Sequence, residues 1–338
     1  MKLSRREFVK SSAACGLALA GAAGAEQAAS REGMPYRKLG ATGVEVSLLC
    51  LGGFHIGVPE LSDDEAVALM RRAVDEGVNF FDNAWQYHDG RSEERMGLAL
   101  QEGYRDKVFL MTKHKGRDAK EAQEHLEASL RRMRVDVIDL WQFHEMVHPD
   151  QPRRVYEEGA LDFAIKARDE GKVRYLGFTG HHVNATHIEM MERGFPWDTV
   201  QMPLNAFDYH FRSFQQHVLP LARQKNLGVI AMKTMGGTPG ELPKTGAITP
   251  EECLRYAMSL PVSTVCSGMD SMAVLEKNLA IAKGFTPMSD EELAALRERV
   301  KPEAEKGLHE VYKTAWHRGQ IPVPAGEDQN PDPVLDLF

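Results

Sequence analysis

Three short apolar runs of the sequence lead into ionisable groups. Phe80-Phe81-Asp82 continues through Asn83-Ala84-Trp85-Gln86 to Tyr87, Met111-Thr112 ends in Lys113, and Trp141-Gln142-Phe143 ends in His144. If one fold gathers the four groups, they have a joint use. A phenol with a pKa near 10 is a poor proton donor to a carbonyl oxygen at neutral pH and a poor base for an alcohol. An ammonium about 4 Å away contributes roughly 4 kcal/mol at an effective dielectric of 20, or about three pK units of acidification at most. Lys113 is therefore the expected activator of Tyr87, and Asp82 the group that keeps Lys113 charged and oriented. His144 is the expected donor that fixes a substrate oxygen against a hydride source.

Other constellations compete. His144-Glu145-Met146-Val147-His148 reads as H-E-x-x-H, the pattern of zinc hydrolases. That chemistry needs a helix, and Pro149 pushes His148 out of the α region, so a zinc hydrolase is only a remote alternative. His181, His182 and His187 read as a loop beside a binding mouth rather than as a metal set. Arg131, Arg132 and Arg134 crowd the end of one helix pattern, where its dipole explains them. None of the four cysteines forms a C-x-x-C pair, which argues against a disulfide framework and a zinc or iron–sulfur cage. Cys50, Cys253 and Cys266 are expected to be buried as small apolar residues. No metal is expected.

The elements that must position these residues alternate regularly. Strands are expected at Val46–Gly52, Asn79–Ala84, Val108–Lys113, Val137–His144, Val173–Thr179, Thr199–Asn205, Gly228–Lys233 and Thr264–Gly268. Helical periods fill 62–76, 92–102, 119–134, 153–170, 184–193, 213–226, 249–260 and 271–283, with a capping-box pattern at Ser62 to Glu65 and terminal glycines at Gly77 and Gly171. Eight strand–helix units with strands apolar on both faces predict a (β/α)8 TIM barrel. A doubly wound sheet is disfavoured because no G-x-G-x-x-G follows the first strand. Tyr36–Leu39 and Val44–Val46 predict a hairpin closing the barrel bottom, and a further helix pattern spans about 289–313.

The stretch Gly77-Val78-Asn79-Phe80-Phe81-Asp82-Asn83-Ala84, followed by Tyr87, Gly90, Ser92-Glu93 and Gly97, resembles the most diagnostic motif of the aldo-keto reductase superfamily. Lys113 and His144 fall where that family's third and fourth catalytic residues belong. The resemblance runs from about Tyr36 to Gly284. It implies a (β/α)8 barrel that binds NAD or NADP without a Rossmann fold and transfers hydride to or from a carbonyl carbon, with Asp82, Tyr87, Lys113 and His144 as the catalytic set.

On the cofactor side the resemblance implies Gly53, Phe54 and Asp82 at the mouth, and Thr179 and Gln201 for the nicotinamide carboxamide. Gly180 stands where the family has an asparagine. Met232 would pack on the nicotinamide where the family stacks an aromatic ring. Lys233 and Met235 lead to the backbone of Gly236-Gly237-Thr238-Pro239-Gly240, which could cradle the pyrophosphate. Gly268, Asp270, Lys277 and Asn278 fall at the adenosine end. Asp270 favours NAD and Lys277 favours NADP, so the preference stays open.

The 338 residues are 43% apolar and 27% charged with a formal charge of −8, which excludes disorder and argues against a nucleic-acid partner. The expected partner is a small carbonyl or alcohol. His55, Trp85, His88, Phe207, Tyr209 and Trp316 are candidates to contact it, without deciding between sugars and aromatic aldehydes. Ser4-Arg5-Arg6-Glu7-Phe8-Val9-Lys10 and the Ala/Gly-rich run to Ala25 read as a twin-arginine signal peptide over 1–25. That implies the twin-arginine translocation machinery as a partner and a periplasmic location, with the cofactor loaded before export. The run is too short and mild for a membrane span. Residues 34–318 are then the barrel and 319–338 a Pro-rich tail. A nicotinamide-binding redox sensor without turnover is the alternative function.

Overall fold

The computed structural model of the protein describes residues 30–237 and 241–313. The expected signal peptide, Thr238–Gly240, Trp316 and the Pro-rich tail lie outside the described residues.

The chain begins with a small antiparallel sheet, β1 (Ser30–Arg31), β2 (Met34–Lys38) and β3 (Glu45–Ser47). Then come the barrel strands β4 (Leu49–Gly52), β5 (Phe80–Asp82), β6 (Phe109–His114), β7 (Ile138–Phe143), β8 (Val173–Thr179), β9 (Thr199–Pro203), β10 (Gly228–Met232) and β11 (Thr264–Gly268). Each pairs in parallel with the next, and β11 closes on β4. All eight expected strands form, most of them shorter than expected.

The closed sheet explains why these strands are apolar on both faces. Cys50, Phe80, Phe109, Met111, Leu140 and Ile230 meet inside the barrel, while alternate residues pack outward under the helices. Leu39, from the turn between β2 and β3, enters the same inner cluster with Val46. A Cβ on Gly228 would lie 2.6 Å from the Leu39 side chain, so the hairpin plugs the barrel bottom against a bare backbone. Burying Leu39 completely contributes roughly 1.5–3 kcal/mol.

The helical layer departs from expectation where local geometry intervenes. Helix Asp63–Asp75 starts on the expected capping box, with Ser62 Oγ accepting from the Glu65 amide and Glu65 accepting from the Ser62 amide. The expected helix over 153–170 is two, Gln151–Glu157 and Ala160–Asp169, because Gly159 turns left-handed at φ 92°. The expected 213–226 helix divides at Val218, with Pro220 in the first turn of Leu219–Gln224. The last long helix, Asp290–Ala304, stops nine residues short of its expected end. The chain then packs across the loops after β8 and β9 and forms the turn Val311–Lys313. Among the described residues no helix is long and apolar enough to cross a membrane.

Candidate active site

Asp82 is the last residue of β5, and Lys113 lies on β6 two residues beyond Met111, on the face that fills the barrel. The Lys113 ammonium bonds to Asp82 Oδ1, donates to the Asn83 carbonyl at 2.6 Å and reaches the Tyr87 hydroxyl at 3.3 Å. It is 1% exposed. The other Asp82 oxygen accepts from Gln201 Nε2 at 2.6 Å and faces Cys266 Sγ at 3.4 Å. His144 follows β7 directly, and its ring stands nearly perpendicular to that of Tyr87 with centroids 5.9 Å apart. The barrel thus brings all four expected catalytic residues together.

Tyr87 owes its place to a strained loop. His88 and Asp89 adopt left-handed conformations at φ 50° and 57°, and each such residue costs of order 1–3 kcal/mol unless its surroundings hold it. The holding groups come from the helices behind it. Arg132 donates to the Trp85 carbonyl at 2.8 Å and to Glu93 at 3.2 Å, and Glu93 also accepts the Thr112 and Ser129 hydroxyls, each at 2.7 Å. Ser92 Oγ donates to the Gly53 carbonyl at 2.6 Å, and Arg95 to the carbonyls of Ile56, Val58 and Leu61. Arg132 sits in the last turn of its helix as expected, and its guanidinium also serves the Tyr87 loop. Of these supports, only Ser92 and Glu93 stood within a recognisable motif.

Electrostatics correct one expectation. Burial pushes the Tyr87 phenol up to about 12, more than Lys113 pulls it down, and the Asp82 carboxylate adds to the rise. Burial also disfavours the charged form of Lys113, but Asp82 and Tyr87 more than offset this and raise its pKa. His144 is held well below the usual imidazole range by burial and by the nearby cations Lys113, Lys115 and Arg117, so it is neutral. Tyr87 and Lys113 are thus a protonated pair near neutrality.

Thr179 and Gln201 pair across β8 and β9. Thr179 Oγ1 and Gln201 Oε1 are both buried without a hydrogen-bond partner. Two such atoms side by side suit a planar amide able to donate and accept. Met232 ends β10 half-buried, while Lys233 turns left-handed at φ 56° with its Nζ 5.6 Å from the Tyr312 ring centroid. Gly236 adopts φ 86°, and half-buried Met235 packs against the core. Gly53 and Phe54 open the turn after β4, where a Cβ on Gly53 would lie 2.4 Å from the Asp82 carbonyl oxygen. At the end of β11, Gly268 lies under the His55 ring, Asp270 and Lys277 are exposed, and Asn278 is buried with its amide on Ser267 Oγ at 3.1 Å.

The expected substrate residues scatter. Phe54 meets Tyr87 edge-on at 5.3 Å and His55 at 5.6 Å, while His88 is tied through Nε2 to the Phe54 carbonyl. Trp85 stacks on His125 at 3.8 Å, on the helix side of its loop. Phe207 is fully buried in the core and presents no surface to a ligand, and Tyr209 lies under Arg297 at 4.3 Å. Cys50 and Cys253 are buried, but Cys266 is part-exposed and touches the Asp82 carboxylate, which its type alone did not reveal. His144 to His148 is not helical, His148 is exposed with its Nδ1 on Asp150, and His181 and His182 both face the Tyr312 carbonyl. No metal-ligand cluster occurs among the described residues.

Comparisons with known proteins bear on the family and the fold. The chain is 33% identical over 227 residues to YrpG of Bacillus subtilis, an uncharacterized oxidoreductase, covering 60% of this chain and 67% of that one. It is 32% identical over 208 residues to the aldo-keto reductase YhdN of the same organism, covering 57% of this chain and 60% of that one. The holo form of aldo-keto reductase AKR11C1 from Bacillus halodurans shares the fold at a TM-score of 0.67 and 23% identity, over 83% of this chain and 99% of that one. The family model Aldo/keto reductase family matches residues 48–246, from β4 past β10 and through Asp82, Tyr87, Lys113 and His144. On that span, more than half its length, the chain belongs to the aldo/keto reductase family of oxidoreductases.

Proposed function

We propose that the protein interconverts a small carbonyl compound and its alcohol, with NAD or NADP as hydride carrier. The observation that carries this is the buried Asp82–Lys113–Tyr87 chain, with the ammonium 3.3 Å from the phenol. Nicotinamide, when bound, supplies or accepts the hydride, and the unpartnered Thr179 Oγ1 and Gln201 Oε1 are the atoms that would hold its carboxamide.

In the reducing direction Tyr87 gives its proton to the carbonyl oxygen as that oxygen becomes an alcohol. The phenolate left behind is stabilised by the Lys113 ammonium, which Asp82 keeps in place. Neutral His144 offers one N–H to the same oxygen and fixes its approach. The phenol then regains its proton from solvent. The N-terminal twin-arginine pattern extends the proposal to an exported, periplasmic enzyme.

Tyr87→Phe tests the proposal, because it removes the proton and leaves the ring. Carbonyl reduction is expected to fall by about 10²–10⁴-fold, the range for a lost general acid, while nicotinamide binding measured by fluorescence is unchanged. Wild-type turnover surviving in Tyr87→Phe rules out the assigned role. Binding without turnover in the wild type identifies a sensor instead.

A further inference from the structure

The H-E-x-x-H stretch leaves Glu145 without a metal to serve, yet its surroundings are built. Glu145 follows His144 directly and is held in the left-handed region at φ 55°, where a non-glycine residue is strained. Its carboxylate accepts from Gln86 Nε2 at 2.9 Å and from Lys115 Nζ at 2.7 Å. Gln86 immediately precedes Tyr87, and Lys115 follows Lys113 by two residues. Each of three candidate catalytic side chains therefore has a close sequence neighbour in one ionic knot. Arg117 binds the knot from below, donating to the His144 carbonyl at 2.6 Å and to that of Glu145 at 3.3 Å.

We propose that Glu145 is a positioning residue that ties the loops carrying Tyr87, Lys113 and His144 through Gln86, Lys115 and Arg117. The proposal rests on the proposed carbonyl chemistry for its consequence, though not for its geometry. β5, β6 and β7 are adjacent strands, and backbone hydrogen bonds between them carry on past the strand ends as far as the Trp85 amide on the Lys113 carbonyl at 2.9 Å and the His144 amide on the His114 carbonyl at 2.8 Å. The carboxylate adds a side-chain tie from Glu145 to Gln86 and Lys115 beyond these backbone bonds. Glu145 is 4% exposed, so a bond between its carboxylate and the Gln86 amide is shielded from competing water.

The strained φ supplies a test that separates the backbone conformation from the side chain. Glu145→Gly suits the left-handed backbone and removes the whole side chain, so relief of backbone strain is expected to offset part of the stability lost with the bonds to Gln86 and Lys115, and a folded variant is expected. Its kcat is expected to fall by up to about 10²-fold, as for a slightly misplaced catalytic group, with the KM for NAD(P)H within about twofold. Hydrogen exchange in residues 83–90, distant in sequence from the substitution, is expected to quicken in Glu145→Gly and in Gln86→Met alike. Wild-type kcat in Glu145→Gly, or unchanged exchange over 83–90, overturns the proposal. Should the wild type reduce no carbonyl compound, exchange alone decides: faster exchange upholds the tie while the proposed chemistry fails separately.

Discussion

Tyr87 stands 3.3 Å from an ammonium that would acidify it in isolation, yet its phenol is pushed up to about 12 because burial and the Asp82 carboxylate outweigh Lys113. The consequence is directional. As an acid, Tyr87 is protonated across the neutral range and ready to donate. As a base for an alcohol it must first ionise, which it does only as pH climbs toward that value. His144, its pKa lowered by burial and surrounding cations, stays neutral on the same range. Carbonyl reduction is therefore expected to be flat in kcat/KM from about pH 6 to 9, while alcohol oxidation rises across it. Profiles in both directions check this, and an acidic limb near the ordinary imidazole value in reduction would show His144 titrating. Lys113→Met removes the nearby cation that lowers the phenol, so its oxidation limb is expected to move to still higher pH.

At the scale of elements, the helix behind the loop matters as much as the strand ends before it. Glu93 is fully buried, and burial raises its pKa against the pull of Thr112, Ser129 and Arg132. Removing Arg132 leaves that carboxyl without its cation and the Trp85 carbonyl without its donor. Arg132→Met is expected to cost about 3 kcal/mol in urea unfolding, near the range for breaking a buried pair, and to slow turnover by loosening Tyr87. Asp82, Lys113 and His144 were legible in the sequence because a run of strand residues ends at a fixed place in a barrel, and its two-residue period sets which side chains turn inward. Arg132 was not, since a basic residue in the last turn of a helix looks the same whether it answers the dipole or reaches a loop 47 residues away. Gln201 and Cys266 meet Asp82 across 119 and 184 residues, contacts that only barrel closure creates. Gln201 was expected as a cofactor ligand, but its bond to the Asp82 carboxylate left no local mark. The helix over 153–170 failed on one glycine whose positive φ is invisible to apolar spacing.

For the whole molecule, the segment after the last long helix is moored over the loops that follow β8 and β9. Lys313 is fully buried with Asp208 at 2.6 Å and Glu310 at 3.1 Å, and it donates to the Phe211 carbonyl at 2.8 Å. Two carboxylates share one ammonium here. Asp208 has further donors in the Phe214 and Gln215 amides, whereas burial raises the Glu310 pKa, Lys313 opposes the rise and Asp208 adds to it. An acid with a raised folded pKa favours folding most while protonated. Its contribution is therefore lost as pH rises from the ordinary glutamate value through the raised one. Lys313→Met takes away the opposing cation, so Glu310 rises further and the loss with pH deepens. Near neutrality Lys313→Met is expected to destabilise by about 3–5 kcal/mol in denaturant unfolding, and by less at about pH 5, toward which protonation of Glu310 increases. Glu310→Gln keeps the shape without the charge, so added to Lys313→Met it is expected to restore part of the neutral-pH stability and flatten its pH dependence. Equal losses at both pH values, with no recovery in the double variant, would show that packing of the segment rather than its charge balance moors it over the barrel.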